Sequence, residues 1–259
     1  GNKEQLLTVL DLIYKIDVLQ SHCQILHDRA FCLPDYADAS NPVFEAIDCF
    51  HPLIESPVTN SFQLESNKSL CFITGPNMSG KTTFMKTVGL LTWVAHLGLP
   101  VPAKKLILPV LNGLFTTINL SDSLSQGFSH FYAEVNRVRD MALAVQENGK
   151  MVVILDELFR GTNVKDAFEG TLMVVRALAG IKGSYFFVST HILEVAEKLS
   201  ETSSIDFKCF ESSLNKNVPV YDYFLKQGVS TERVGMQIIK NESIEAILNE
   251  IIAKQETKP

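Results

Sequence analysis

The sequence predicts an α/β protein whose central sheet is mostly parallel and is preceded by a long helix. Short, continuously apolar runs at 69–74, 151–155 and 185–189 are typical of strands that are buried on both faces. Longer amphipathic segments lie between these runs. Because strands that alternate with helices form parallel sheets covered on both faces, we expect this architecture for most of the chain.

The same patterns predict the remaining elements of the α/β part. Amphipathic periodicity predicts helices at 79–97, 129–147, 165–179 and 192–199. A further strand is predicted at 115–120, and the runs at 205–211 and 220–226 favour an antiparallel pair at the sheet edge. Two short helices, at 234–239 and 243–253, are expected to close the chain.

The first segment differs in character from the rest of the chain. Residues 3–28 carry Leu6, Leu10 and Ile13 at helical spacing, and several prolines follow. We therefore divide the chain into a helical segment at 1–40, an α/β domain at 41–230 and a closing helical pair at 231–259.

Composition limits the possible environments and partners. The 259 residues are 46% hydrophobic, but they contain no apolar run long enough to cross a membrane. Five scattered cysteines without a CxxC pair favour reduced thiols and a cytoplasmic location. The net charge of −6 argues that this chain is not the main DNA-gripping part of its protein. The chain starts at Gly1 rather than Met, so we expect flanking domains elsewhere.

A glycine-rich segment between a predicted strand and a predicted helix fits the pattern GxxxxGK(S/T). Its backbone amides and the helix start suit phosphate groups, with Lys81 reaching the β- and γ-phosphates and Thr82 holding Mg²⁺. The alternative is a plain turn with a solvated lysine. The residues predicted to bind nucleotide here are Gly75, Pro76, Asn77, Met78, Ser79, Gly80, Lys81, Thr82 and Thr83.

A pair of carboxylates follows the apolar run at 151–155. Asp156 is predicted to hold Mg²⁺, directly or through water, and Glu157 to orient or activate the attacking water. The alternative is a strand end whose carboxylates face solvent.

A histidine follows the next buried strand. On an adjacent parallel strand, His191 would lie beside the γ-phosphate and contact either that group or the attacking water. A structural strand-end histidine is the alternative.

The order of these three features resembles that of ABC-type ATPases, and their details resemble the MutS family. Gly75-Pro-Asn-Met-Ser-Gly-Lys-Thr-Thr83 resembles that family's phosphate loop, and Asp156-Glu157-Leu-Phe-Arg-Gly-Thr-Asn163 resembles its DE-x-x-RGT box. Ser189-Thr-His191 is similar to its TH element. Further similar segments are Ile16-Asp17-Val18-Leu19, His51-Pro52, Val101-Pro-Ala103 and Gly235-Met-Gln-Ile.

This resemblance implies a P-loop NTPase domain of the ABC type, joined to the end of a lever helix. It implies ATP and Mg²⁺ as ligands, a homodimer that closes through the ATPase sites, and a closing helical pair at the dimer contact. DNA binding would occur mainly through regions outside this chain. Ser129 would reach the γ-phosphate of the partner subunit, with a simple helix N-cap as the alternative, and Val58 would contact the base.

The chain departs from the family pattern at two places. Phe159 stands where the family usually has glycine, and the 125–131 segment lacks the arginine of the corresponding family loop. The 57–60 stretch also has no aromatic residue to stack on adenine.

The expected function is therefore ATP binding and hydrolysis that drive dimer closure in a MutS-like DNA mismatch repair protein. The alternative is a MutS-like scaffold that acts on DNA junctions, RNA or protein without recognising mismatches. A transporter-type or SMC-type ATPase is disfavoured because no LSGGQ-like signature occurs. A small-molecule kinase is disfavoured by the Asp156–Glu157 pair together with His191.

Overall fold

The computed structural model describes residues 2–28, 30–38, 40, 42–65, 67–118, 130–215, 218–230, 241 and 243–256. Its helices are α1 (Asn2–Asp28), α2 (Lys81–His96), α3 (His130–Asn148), α4 (Val164–Leu178), α5 (Leu193–Leu199) and α6 (Ile244–Glu256). Its strands are β1 (Asp35–Tyr36), β2 (Val43–Cys49), β3 (Asn60–Glu65), β4 (Leu70–Thr74), β5 (Lys105–Leu108), β6 (Gly113–Thr117), β7 (Met151–Asp156), β8 (Tyr185–Thr190), β9 (Ile205–Cys209), β10 (Ser212–Asn215), β11 (Val218–Tyr221) and β12 (Lys226–Gln227).

A six-stranded sheet of order β12-β9-β4-β8-β7-β6 forms the centre of the fold. All its neighbours pair in parallel except β12, which pairs antiparallel with β9. Strands β4 and β8 are buried along their whole length, as their continuous apolar runs predict. The expected mixed α/β fold with a mostly parallel central sheet is therefore confirmed.

Helices cover both faces of this sheet because successive strand side chains point to opposite sides. On one face, Ile73 and Ile154 pack with Met85 and Val88 of α2. On the other face, the strand side chains pack with apolar residues of α3, α4 and α5. The predicted alternation of strands and helices thus produces two hydrophobic cores with the sheet between them.

A second sheet, of order β1-β5-β2-β3, was not predicted. It packs on the α2 side of the central sheet, where the rings of Phe44, Phe62 and Phe187 meet edge to face with centroids 5.1–5.8 Å apart. Its strands β2 and β3 are only half buried, so their sequences lack the continuous apolar run that marks a central strand. Cys32 bridges to Val101 and β1 pairs with β5, so residues 32–36 pair within this α/β part of the chain.

The predicted antiparallel pairing of 205–211 with 220–226 at the sheet edge is confirmed only where Lys226 pairs with Cys209. Residues 220–226 are divided between β11, which pairs with β10, and β12, which pairs with β9. A turn separates them because the Asp222 carboxylate accepts a hydrogen bond from the Phe224 amide at 3.1 Å. Tyr223 within this turn has a left-handed φ of 59°.

The predicted long first helix corresponds to α1. Leu6, Ile13 and Leu19 are more than half exposed. Neither of the two cores, as described, includes a residue of α1. The closing helix α6 covers the prediction at 243–253, whereas the one at 234–239 lies outside the described residues. No helix in the described part of the chain has the length and apolar character needed to cross a membrane.

Candidate functional site

The glycine-rich 75–80 loop joins the end of β4 to the start of α2. Gly75 and Gly80 have φ of 148° and 108°, a region that L side chains rarely adopt. A Cβ atom on Gly75 would lie 2.6 Å from the Phe210 carbonyl oxygen. The loop can therefore hold its tight curve only with glycine at this position.

Lys81 is buried inside the curve of the loop. Its ammonium donates hydrogen bonds to the carbonyls of Gly75 at 2.8 Å and Pro76 at 3.0 Å, and lies 3.6 Å from the Glu157 carboxylate. Burial lowers the pKa of Lys81, while the charges of Glu157 and Asp156 oppose that shift. A buried cation thus faces the concave side of the loop and the carboxylates opposite.

Asp156 connects α2 with the neighbouring strands. Its two carboxylate oxygens accept hydrogen bonds from Thr82 Oγ1 at 2.7 Å and from Ser189 Oγ at 2.5 Å. Strand β8 lies between β4 and β7, so the serine at its end is beside the aspartate. These contacts hold the carboxylate at the start of α2.

Glu157 lies next to Lys81 and His191. Its amide donates to the backbone carbonyl and the hydroxyl of Ser189, each at 3.2 Å. One carboxylate oxygen lies 3.2 Å from Arg160 Nε and 3.8 Å from His191 Nδ1. His191 is half exposed, whereas the Glu157 side chain is 11% exposed. The structure therefore brings these predicted residues to one edge of the sheet.

The other predicted loop residues differ in exposure. Ser79 is buried, and its hydroxyl has no hydrogen-bond partner among the described residues. Asn77 and Thr83 are exposed, and Met78 is 81% exposed with a left-handed φ of 67°. Predicted Ser129 lies outside the described residues.

A cavity of about 370 Å³ lies beside the start of α2. It is lined by Val58 and Thr83, which the sequence predicted to bind nucleotide, and by Tyr223, which sequence reasoning missed. The Asn60 side chain donates to the Tyr223 carbonyl at 3.1 Å and accepts from the Leu225 amide at 2.7 Å. An aromatic wall is thus supplied by a segment far along the chain, which no local pattern near Val58 could reveal.

The structure is that of a mixed α/β protein. A glycine-rich loop, a buried lysine and a carboxylate pair lie together at the edge of the central sheet where its parallel strands end. A family model described as MutS domain V matches residues 71–258, so the chain belongs to the MutS family.

Bacterial proteins named DNA mismatch repair protein MutS are similar to most of the chain. That of Bacillus licheniformis is 29% identical over 88% of this chain and 26% of its own length. That of Thermotoga petrophila is 30% identical over 92% of this chain and 30% of its own length. That of Brevibacillus brevis is 31% identical over 80% of this chain and 25% of its own length. The matched region thus spans less than a third of these relatives.

Proposed function

We propose that this chain is an ATPase domain of the P-loop, ABC type that binds ATP with Mg²⁺ at the carboxyl edge of the six-stranded sheet and hydrolyses it. The observation that carries the proposal is the convergence of the Lys81 ammonium, the Thr82–Asp156 hydrogen bond and the Glu157 carboxylate beside one glycine loop.

The triphosphate would occupy the concave side of the 75–80 loop. Backbone amides and the positive end of α2 favour an anion there, and a buried ammonium would gain more from a phosphate than from two carbonyls. The hydroxyl of Ser79, which has no partner among the described residues, would gain one.

The donor set beside the loop fits Mg²⁺. The Thr82 hydroxyl and the Asp156 carboxylate are hard oxygen donors 2.7 Å apart, and Mg²⁺ usually takes few protein ligands, with water and phosphate supplying the rest. When bound, the ion would neutralise charge on the transferring phosphate.

Hydrolysis would use Glu157 and His191. Glu157 would accept a proton from a water molecule whose oxygen bonds to the γ-phosphorus, as the bond to the ADP oxygen breaks. His191, 3.8 Å from the same carboxylate, would orient that water or contact the γ-phosphate.

The adenine base would enter the 370 Å³ cavity beside α2. Val58 and Tyr223 would provide apolar and aromatic surface, because aromatic rings stack on bases. The aromatic residue that the 57–60 stretch lacks would thus be supplied by a later part of the chain.

Closure of a homodimer in a mismatch repair protein is the wider role that we infer. Met78 in the glycine loop has an apolar side chain that is 81% exposed, which a partner subunit would cover. ATP would stabilise the closed dimer by binding it better than the open one. A role in DNA mismatch repair is supported by the names of the relatives, and DNA would be bound mainly by regions outside this chain.

Calorimetric titration with ATP and Mg²⁺ tests the proposal. We expect Lys81→Ala to remove binding of the nucleotide. Lys3→Ala, which changes an exposed lysine of α1, should bind ATP like the unmodified chain. Equal affinity in all three proteins would refute the site.

A separate DNA-binding measurement tests the wider role. A protein containing this chain should bind mismatched duplex better than perfect or branched DNA, whereas the scaffold alternative requires no mismatch preference.

A further inference from the structure

The turn that follows the carboxylate pair contains a bulky residue in an unusual backbone conformation. Phe159 has a φ of 62° and is 5% exposed. Left-handed backbone is uncommon for a residue with a large side chain, so the surrounding contacts must hold it. Glu157, two residues earlier, is also left-handed, with a φ of 53°.

The Phe159 ring lies between two helices. Its centroid is 5.9 Å from that of Phe131 in α3, and the two rings meet at 63°. On the other side is Gly170 of α4, where an added Cβ would lie 3.0 Å from Cδ2 and Cε2 of Phe159. The ring therefore fills a space that exists because residue 170 has no side chain.

A second contact joins the same turn to α3. The buried Glu134 carboxylate accepts a hydrogen bond of 3.3 Å from the Gly161 amide. Phe131 and Glu134 are one helical turn apart, so they lie on the same side of α3. The turn is thus tied to α3 on both sides of Arg160, whose guanidinium lies 3.2 Å from the Glu157 carboxylate.

We infer that Phe159 is a positioning residue: its ring, seated between Phe131 and Gly170, holds the turn that directs Glu157 toward Lys81 and His191. This inference rests on the proposed function for its effect on hydrolysis, but not for the packing itself. Phe159 does not line the nucleotide cavity, so its effect should fall on turnover and not on affinity.

The size match between residues 159 and 170 allows a double-mutant test. Phe159→Gly permits the left-handed backbone but leaves the space beside Gly170 empty. Gly170→Leu pushes on the ring, while the double variant places an aliphatic side chain where the ring was. Gly180→Ala is the matched control, since a Cβ there would meet only the Ala177 carbonyl oxygen at 3.5 Å.

We expect each single variant to lower kcat by about tenfold or more, because small displacements of a reacting group are costly. The dissociation constant of ATP should change by less than about twofold, because the binding contacts are intact. The double variant should recover most of the turnover, and Gly180→Ala should match the unmodified chain. Normal kcat in Phe159→Gly, or no recovery in the double variant, would overturn the inference. If Phe159→Gly does not fold, Phe159→Leu takes its place, with a smaller expected loss of turnover.

Amide hydrogen exchange gives a readout that does not depend on ATP. Exchange of the Gly161 amide should accelerate in Phe159→Gly and return toward its original rate in the double variant. Unchanged exchange would overturn the packing role. A chain that binds no ATP at all would refute the proposed function, and the exchange rates would then decide the role of Phe159 separately.

Discussion

Thr82 donates a hydrogen bond of 2.7 Å to Asp156, although 74 residues separate them in the chain. The threonine belongs to the first turn of α2 and the aspartate ends β7. Their contact joins the glycine loop to the carboxylate pair, so the hydroxyl and the carboxylate are already close enough to share one cation.

Removing the Thr82 hydroxyl should therefore weaken Mg²⁺-dependent nucleotide binding. We expect Thr82→Ala to raise the dissociation constant of ATP with Mg²⁺ by about tenfold or more, since hydrogen bonds to charged groups contribute roughly 1.5–3 kcal/mol. Thr82→Ser should keep most of the affinity. Titrations with Mg²⁺ and with EDTA measure the effect, and Thr92→Ala, whose hydroxyl donates to the Val88 carbonyl, is the control on α2. An equal loss for Thr82→Ala in EDTA would show that the hydroxyl does not act through the ion.

Glu157→Gln should separate binding from hydrolysis. The amide keeps the shape of the side chain but cannot accept the proton of water, so turnover should fall by about 100-fold or more while ATP still binds. ATP should then hold the chain as a dimer, which light scattering detects. Glu169→Gln, on the exposed side of α4, is the control. Turnover at the normal rate in Glu157→Gln would remove that residue from the mechanism.

His191→Ala should have a smaller effect than Glu157→Gln. The histidine is half exposed, and its ring nitrogen lies 3.8 Å from the carboxylate, beyond hydrogen-bond distance. We expect turnover to fall by about tenfold, with little change in the dissociation constant of ATP. A loss of ATP binding, with hydrolysis by the remaining complex unchanged, would instead assign His191 to binding alone.

The central sheet was predictable because strands that are buried on both faces have continuously apolar sequences. Strand β4 is apolar from Leu70 to Ile73 and β8 from Tyr185 to Val188, and the carboxyl ends of neighbouring parallel strands meet at one edge. The contacts among Lys81, Asp156 and Glu157 follow from that geometry. The second sheet has a weaker sequence signal, because β2 is only half buried and pairs with β5, which lies far along the chain. The Asn60–Tyr223 contact spans 163 residues and has no local signal.

Tyr223→Ala should weaken binding of ATP but not binding of tripolyphosphate. The ring lines the cavity proposed for the base, and base–aromatic stacking contributes about 1–3 kcal/mol, so we expect a rise in the dissociation constant of about tenfold. Phe224→Ala, which removes a neighbouring exposed ring, should leave both affinities unchanged. If Tyr223→Ala weakened ATP and tripolyphosphate equally, the base would not contact this wall.

The stability of the chain should depend on pH through His51, which lines the same cavity. Burial lowers the pKa of His51 below its ordinary value of 6.5, and the charge of Lys86 adds to this shift. At a pH well above 6.5, the His51 imidazole is neutral in both the folded and the unfolded chain. As the pH falls below 6.5, the unfolded chain takes up a proton that the folded chain resists, so the free energy of unfolding should decrease.

Urea unfolding at several pH values below and above 6.5 tests this expectation. As the pH is lowered, the free energy of unfolding should decrease more steeply for the unmodified chain than for His51→Gln. His27→Gln, which changes an exposed histidine of α1, should retain the steeper decrease. Equal pH dependence in the unmodified chain and His51→Gln would mean that another group controls this loss of stability.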